Sequence, residues 1–273
     1  MVKVFEGTEN QYWIDGYLKE NLDIAKKIIK KDWDMLFVYD GNEGSGKSVK
    51  AIQDAYYCDP TLTIERVVFT PEEFKKAILN ADKYTAVVYD EAYTGLSSRA
   101  TMSLINRSLV SMLAEIRQRN LFVFIVLPCF FDLDKYVALW RSRALIHVYT
   151  GEQFQRGKFC FFNIDRKKDL YMLGKKFYSY SRPKANFHGE FSPHYCIDEE
   201  AYRQKKKTSL LDKADNKEQT LTKAIKEIIF RRLIRYPPET KLSMNIKSEI
   251  IGISKPTYYK MEKEFKEEPI EKK

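Results

Sequence analysis

The chain has 273 residues, 44% of them hydrophobic and 31% charged, which is enough apolar material to bury a core and excludes a disordered or fibrous protein. Its most apolar run, residues 121–131, is shorter than the roughly 20 residues that a membrane span needs, so no membrane anchor is expected. The net charge of +9 is uneven, because residues 1–200 hold 28 Lys and Arg against 27 Asp and Glu, whereas residues 201–273 hold 19 against 11. A basic C-terminal quarter favours a nucleic-acid partner, and a solvated lysine-rich tail is the alternative.

The cysteines and the N-terminal residues indicate the compartment. Four cysteines stand singly, with no C-x-x-C pair: Cys58, Cys129, Cys160 and Cys196. A disulfide framework and a cysteine-rich zinc module are therefore not expected. The first residues contain no apolar stretch of the kind that forms a secretory signal. We expect a cytoplasmic protein, located in the host cytoplasm if the gene is viral or plasmid-borne.

Apolar strands alternate with helices over the first 150 residues. Apolar residues spaced three and four apart predict an N-terminal helix over 16–33. The predicted strands that follow are 35–39, 66–70, 85–89, 121–127 and 144–149, and the predicted helices between them are 49–57, 70–80, 101–118 and 132–142. Because continuously apolar strands joined by helical crossovers form parallel sheets covered on both faces, the sequence predicts an α/β fold.

The pattern changes after residue 151. Two apolar runs, 158–163 and 170–173, flank a polar turn and predict an antiparallel hairpin at the edge of the sheet. The polar and then strongly charged residues 182–218 predict a linker, and helical periodicity returns after it. The predicted organisation is an N-terminal helical segment (1–33), a core with a hairpin extension (34–181), a charged linker (182–218) and a small all-helical module (219–273).

The turn after the strand 35–39 carries a phosphate-binding motif. Residues 41–48, Gly-Asn-Glu-Gly-Ser-Gly-Lys-Ser, fill every fixed position of the P-loop pattern G-x-x-x-x-G-K-[ST], with a strand before them and a helix after. Lys47 is expected to reach the β- and γ-phosphates of ATP, and Ser48 to ligate Mg²⁺. An ordinary glycine-rich turn is the alternative. The expected nucleotide-binding residues are Gly41, Asn42, Glu43, Gly44, Ser45, Gly46, Lys47, Ser48 and Val49.

Two acids follow the strand 85–89. Asp90, at the carboxyl end of that strand, can hold Mg²⁺, and Glu91 can orient or deprotonate the attacking water. The two acids could instead cap a helix, but their combination with the phosphate-binding motif favours an ATPase site. The catalytic residues expected from the sequence are Lys47 and Glu91.

The chain resembles a known division of ATPases. Its P-loop, its Asp-Glu pair and a long helix before the fourth strand resemble the ASCE P-loop ATPases, and residues 113–128 and 140–149 look like the HerA/FtsK group, in which an arginine-bearing helix leads into strand four. Zonula-occludens-toxin-like and DNA-packaging relatives share the compact size. The resemblance covers residues 33–150 and implies a RecA-like sheet of order 5-1-4-3-2. Where that group often has a Thr-Gln sensor, this chain has Pro128-Cys129-Phe130, so the sensor is either missing or shifted to Asp132 or Asp134.

The resemblance further implies a homo-oligomeric ring, commonly a hexamer, in which an arginine of a neighbouring subunit contacts the γ-phosphate. Arg117 and Arg119 fit this catalytic role by their position before strand four. Other candidates are Arg99, Arg107, Arg141 and Arg143. The alternative is that all of these arginines are surface or DNA-facing charges.

The basic C-terminal module contains a helix-turn-helix pattern. An amphipathic helix is predicted over 221–234, and residues 246–261 follow with Gly252 at the tight turn and Ser254 as the cap of the second helix. The second helix would bring four residues to DNA: Lys255, Thr257, Tyr258 and Lys260. A three-helix module for protein contacts is the alternative, with Tyr258 or Tyr259 in its core.

These features favour an ATP-hydrolysing DNA motor of the translocation, packaging or replication type that acts as a ring. An ATP-regulated DNA-binding protein or helicase loader is the second interpretation. An assembly or export ATPase that does not use DNA is the third. DNA-stimulated ATP hydrolysis would separate the first interpretation from the third.

Overall fold

A mixed sheet of seven strands organises the N-terminal part of the chain. The computed structural model describes residues 1–90, 110–113, 115–235 and 243–267, and the chain divides into two units, residues 1–209 and 210–273. The described strands are β1 (Val2–Val4), β2 (Tyr12–Ile14), β3 (Met35–Asp40), β4 (Val67–Val68), β5 (Ala86–Tyr89), β6 (Phe122–Val126), β7 (Ser142–Tyr149), β8 (Lys158–Phe162) and β9 (Phe187–Glu190). The described helices are α1 (Gly16–Ile28), α2 (Lys47–Cys58), α3 (Pro71–Asn80), α4 (Ile164–Gly174), α5 (Glu199–Arg235), α6 (Met244–Ile251) and α7 (Lys255–Glu267).

The strands of the large sheet follow the order β4-β5-β6-β3-β7-β8-β9. The first five of these run parallel, with β3 between β6 and β7, and β8 and β9 add antiparallel strands at one edge. In the numbering of the predicted strands, the parallel part has the order 5-1-4-3-2, so the expected α/β sheet is confirmed. Every residue of β3 is buried, and its first five residues, 35–39, form the continuous apolar run typical of a central parallel strand.

The side chains of β3 alternate between two cores. Phe37 and Tyr39 pack with the apolar faces of α1 and α2. Leu36 and Val38 face the other side, where α3 and α4 contribute buried side chains. This alternation follows from the two-residue period of a strand and gives three layers, with the sheet in the middle. Within the described ranges, no helix is both long and apolar enough to cross a membrane.

The predicted hairpin over 158–173 is only half correct. The first run forms β8, but residues 164–174 form α4 instead of a turn and a second strand. Asn163 caps this helix, because its side chain accepts a hydrogen bond from the Arg166 amide. Lys167, Leu170 and Tyr171 are buried at the three- and four-residue spacing of a helix. β8 pairs with β7 on one side and with β9 on the other, and β9 begins twenty-five residues after β8 ends.

Other expectations also need correction. The N-terminal segment contains an antiparallel pair, β1 and β2, before its helix. The predicted linker over 182–218 contains β9 and the beginning of α5. The helix predicted over 132–142 is a short π-helical turn, Val137–Arg141, after a 3-10 turn. Of the helix predicted over 101–118, residues 110–113 and 115–118 are mostly helical, and residues 101–109 lie outside the described residues.

An ion pair joins elements at the N-terminal ends of the parallel strands. Asp34, which precedes β3, is buried, and its Oδ2 accepts a hydrogen bond of 2.6 Å from Arg141, the residue before β7. The same guanidinium donates to the Leu113 carbonyl at 3.2 Å. Arg143 lies 3.8 Å from Asp34 and stacks on the Trp33 ring. These two arginines therefore have structural partners in this chain.

We expect Asp34→Ala to lower the free energy of unfolding by about 3 kcal/mol, because it leaves a largely buried guanidinium without its carboxylate. Urea titration followed by circular dichroism measures the change. Glu20→Ala, which removes an exposed acid from α1, is the matched control and should change stability by less than about 0.5 kcal/mol. Equal effects of the two variants would show that the ion pair does not stabilise the fold.

Candidate functional site

A glycine-rich loop (residues 41–48) connects β3 to α2 at the C-terminal ends of the parallel strands. Gly41 has φ 132°, and a Cβ there would lie 1.8 Å from the Val148 carbonyl oxygen of β7. Gly46 has φ 98°, and a Cβ there would lie 3.2 Å from the ring of Phe191. Both glycines are therefore required by backbone conformation and by a close neighbour. The loop also contains Ser45, whose buried Oγ has no hydrogen-bond partner among the described residues.

Lys47 is the first residue of α2 and folds back over the loop. Its Nζ donates to the carbonyl oxygens of Gly41 and Asn42, each at 2.7 Å. Burial lowers the pKa of this ammonium, and the carboxylates of Asp40, Asp90 and Glu43 oppose that effect. The loop thus holds a partly desolvated cation beside the unpaired N–H groups of a helix N-terminus, which is an environment suited to an anion.

Asp90 lies beside the beginning of α2. It is buried directly after β5, and its amide donates to the Val68 carbonyl at 2.8 Å. The Ser48 hydroxyl donates to its Oδ1 at 3.0 Å, and the Tyr202 hydroxyl donates to its Oδ2 at 2.5 Å. Burial first, and then the Asp90 carboxylate, raise the pKa of the Tyr202 phenol, so that this group stays a donor.

The residues at this position fit a magnesium nucleotide. A hydroxyl and a carboxylate supply the oxygen ligands that Mg²⁺ prefers. Among the described residues, no group of three His, Cys, Asp or Glu side chains could hold a metal by itself. Mg²⁺ usually takes one or two protein oxygens and completes its shell with waters and substrate phosphates. Ser48 and Asp90 are therefore the residues that could hold it beside a phosphate on the loop.

Asp40 fixes the start of the loop. It is fully buried at the end of β3, and its carboxylate accepts hydrogen bonds from the Phe130 amide at 2.9 Å, from His147 at 2.9 Å and from the Tyr180 hydroxyl. The His147 and Tyr180 rings stack, with centroids 3.9 Å apart. Three separate parts of the chain thus converge on the residue before Gly41 and hold the loop in position.

The two acids considered for a sensor role have structural partners. Asp134 accepts hydrogen bonds from the backbone amides of Tyr136 and Val137 at the start of a helical turn. Asp132 accepts a hydrogen bond of 3.2 Å from the Tyr178 hydroxyl. The segment that follows β6 instead contacts Asp40, at the start of the loop, because the Phe130 amide donates a hydrogen bond to the Asp40 carboxylate.

Arg156 is a residue of this region that the sequence reasoning missed. One of its guanidinium nitrogens lies 3.7 Å from the position that a Cβ at Gly44 would occupy. Its side chain is exposed, and it makes no hydrogen bond or ion pair within the described part of the chain. The segment between β7 and β8 carries Arg156 to the loop because the C-terminal ends of β7 and β3 are neighbours. No local sequence motif could include Arg156, because it lies more than 100 residues after the loop.

The two arginines expected to contact the nucleotide of a neighbouring subunit lie away from the loop of their own chain. Arg119 precedes β6, and its guanidinium donates to the Ala81 carbonyl at 2.9 Å. Arg117 is exposed in the same turn, at the N-terminal ends of the strands. Both are therefore remote from the loop of their own chain, and their expected role toward a second subunit stays a prediction. Glu91, Arg99 and Arg107 lie outside the described residues.

In the C-terminal unit, two short helices, α6 and α7, lie where the sequence predicts a helix-turn-helix. Gly252 ends α6 with a left-handed backbone (φ 69°, ψ 44°), and the Ser254 hydroxyl accepts a hydrogen bond from the Thr257 amide at the start of α7. Tyr258 is buried against Phe230 and Ile251, with ring centroids of the two aromatics 5.1 Å apart. The expectation that Tyr258 contacts DNA is wrong, because it occupies the core of this unit.

Three other residues expected at DNA are exposed on or beside the first turns of α7: Lys255, Thr257 and Lys260. Lys260 lies 3.9 Å from Glu264, a surface pair that contributes little stability. Thr257 shares a hydrogen bond of 2.8 Å with Ser254. Lys255 and Lys260 are therefore exposed on α7, where they could contact a polyanion.

If the glycine-rich loop binds nucleotide phosphates, Arg156→Ala should weaken the binding of ADP about tenfold, because a charge-assisted hydrogen bond is worth about 1.5–3 kcal/mol. Isothermal titration calorimetry measures the dissociation constant. Lys30→Ala removes another exposed cation at the opposite ends of the strands and should leave it unchanged. An Arg156→Ala affinity equal to wild type would show that this guanidinium does not contact the ligand.

Comparisons with known proteins do not assign this chain to a family. The sequence matches no protein-family model, and it matches no curated protein. The chemistry of the glycine-rich loop and its neighbouring acid is therefore the basis on which a function can be assigned.

Proposed function

We propose that this protein is a Mg²⁺-dependent ATPase that uses hydrolysis to act on DNA as a ring-forming motor. The observation that best supports ATPase activity is the hydrogen bond of 3.0 Å between Ser48 and Asp90 at the first turn of α2. It lies beside Lys47, whose side chain folds over the glycine-rich loop. The ammonium of Lys47 and the hydroxyl of Ser48, which are neighbours in sequence, meet the carboxylate of Asp90 from a second segment of the chain, as binding of a metal–polyphosphate requires.

The residues of the loop have separate roles in this proposal. The backbone amides of 41–48 and the N-terminus of α2 bind the phosphates, and Lys47 leaves its carbonyl partners to contact the β- and γ-phosphates. Arg156 adds a second cation from the same chain. Mg²⁺ held by Ser48 and Asp90 would neutralise charge on the phosphates. Glu91, next in the chain, orients water and accepts its proton as ATP is hydrolysed to ADP and phosphate.

The proposal of DNA as partner is supported by the C-terminal unit. The region 201–273 carries an excess of eight positive charges, 19 against 11, and α7 presents Lys255 and Lys260 after a capped turn. A helix of this kind can enter a major groove or contact its phosphates. The ring, and the contact of Arg117 or Arg119 with a neighbouring subunit's nucleotide, are further parts of the proposal, supported by the position of these arginines away from their own loop.

We expect Lys47→Ala to abolish ATP hydrolysis and to weaken ATP binding strongly, because the variant loses the ammonium at the phosphate position. A coupled assay of phosphate release measures turnover with duplex DNA, with single-stranded DNA and without DNA. Lys75→Ala, an exposed lysine of α3, is the control and should hydrolyse ATP as the wild type does. Wild-type turnover by Lys47→Ala would contradict the ATPase, and wild-type turnover that neither DNA stimulates would contradict the motor.

The double variant Lys255→Ala, Lys260→Ala should bind duplex DNA more weakly and with a smaller salt dependence. Each lysine that neutralises a phosphate contributes about one to the slope of log affinity against log salt, so the slope should fall by about two. Fluorescence anisotropy at several salt concentrations measures it, and basal ATPase activity should persist. A slope equal to that of the wild type would place the DNA contacts elsewhere on the protein.

A further inference from the structure

We propose that Tyr202 is a positioning residue of the metal site, an inference that rests on the proposed ATPase function. Its hydroxyl holds Oδ2 of Asp90, so that the other carboxylate oxygen, Oδ1, stays directed toward Ser48 and a bound Mg²⁺. Tyr202 lies 112 residues after Asp90 in a stretch that the sequence predicts as a linker. It does not contact the phosphates in this proposal, but acts through Asp90.

The two oxygens of Asp90 have different partners. Oδ1 accepts from Ser48, which belongs to the first turn of α2 and is the hydroxyl that follows Lys47. Oδ2 accepts from Tyr202 at 2.5 Å, within the range of charge-assisted O–H···O⁻ hydrogen bonds. A carboxylate held at both oxygens cannot rotate freely about its Cβ–Cγ bond. The contact with Tyr202 therefore selects which oxygen faces the metal position.

Tyr202 is itself firmly placed. Only 3% of its surface is exposed, and its ring packs against Phe69 and Tyr195 with centroid distances of 5.8 and 5.5 Å. Asp198 fixes the first turn of α5, because its side chain accepts from the Ala201 amide and its carbonyl from the Tyr202 amide.

Lys205 anchors the next turn of α5. Its ammonium donates to the carbonyls of Ile64 and Val67 at 3.0 and 2.7 Å, beside the short strand β4. The phenol is thus presented to Asp90 by a helix start that is attached on both sides. Such rigidity is what a residue needs in order to orient another side chain.

The effect on the metal follows from the coordination chemistry of Mg²⁺. Mg²⁺ demands nearly octahedral geometry, so a ligand that can turn away is a weaker ligand. Residues that orient metal ligands through hydrogen bonds typically contribute 10- to 100-fold in metal affinity. Removal of the Tyr202 hydroxyl should therefore reduce the gain in nucleotide affinity that Mg²⁺ supplies, without changing the contacts of the nucleotide with the loop.

The test uses the full chain with Tyr202→Phe, which removes one oxygen and keeps the packed ring. The dissociation constant of mant-AMPPNP, a fluorescent ATP analogue that is not hydrolysed, is measured in Mg²⁺ and in EDTA. We expect the dissociation constant in EDTA divided by that in Mg²⁺ to fall about tenfold in Tyr202→Phe, with the constant in EDTA unchanged. Tyr195→Phe removes a hydroxyl from the same aromatic group and should behave as the wild type does.

A double-mutant cycle distinguishes positioning from a general structural effect. In an Asp90→Ala background, Tyr202→Phe should cause no further loss of the Mg²⁺-dependent affinity, because its effect passes through Asp90. An additional loss of equal size in that background would overturn the inference.

The remaining outcomes are also decisive. A wild-type ratio in Tyr202→Phe would show that Asp90 does not need the phenol, and a larger ratio would show that Tyr202 competes with the metal; both overturn the inference. A changed constant in EDTA with an unchanged ratio would indicate that Tyr202 only stabilises the loop, which also overturns it. A wild-type chain that binds no mant-AMPPNP would contradict the proposed function itself, which keeps the two failures distinguishable.

Discussion

The pairing of β3 with a parallel strand on each side determines where the glycine-rich loop and its neighbouring acids lie. β6 and β7 run in the same direction as β3, so the C-terminal ends of all three meet at one end of the sheet. The chain leaving β3 must then turn in a crowded space, and at Gly41 the carbonyl of Val148 leaves no room for a side chain. The turn, the start of α2 and the segment after β7 are consequently brought together by strand pairing alone.

The surroundings of Asp40 and Asp90 show how that end of the sheet is kept rigid. Each buried carboxylate is held by donors from distant parts of the chain, Asp40 by Phe130, His147 and Tyr180, and Asp90 by Ser48 and Tyr202. A buried carboxylate is stable only when it has such partners. Because its donors come from several elements, each acid also connects those elements.

The sequence predicted what depends on local pattern. The parallel strands, the glycine-rich loop, the acid after β5 and the capped turn at Gly252 all have signals within a few residues, and the resemblance to a known group supplied the strand order. Tyr202 and Arg156 could not be predicted, because Tyr202 meets Asp90 and Arg156 meets the loop only through the placement of strands and helices more than 100 residues apart in sequence. The apolar run 170–173 fits a strand pattern, but residues 164–174 form a helix that Asn163 caps, because their buried residues recur at helical spacing. The sequence places Tyr258 either at DNA or in the core of the helical module, because helical spacing alone does not tell the buried face of a short helix from its exposed one; the structure shows it in the core.

If the loop binds a ligand as proposed, the contacts of Lys47 with two carbonyls limit which molecules can bind there. Its ammonium already has two carbonyl acceptors, so an incoming ligand must replace both of these hydrogen bonds before it gains anything from this cation. A neutral molecule offers no more than the carbonyls do, and a single weak anion offers little more. A polyphosphate carries several negative charges close together, so it attracts the Lys47 ammonium more strongly than the two carbonyls do. The two hydrogen bonds of Lys47 thus set a minimum negative charge density that a ligand of the loop must have, and this requirement selects ligands by charge independently of their shape.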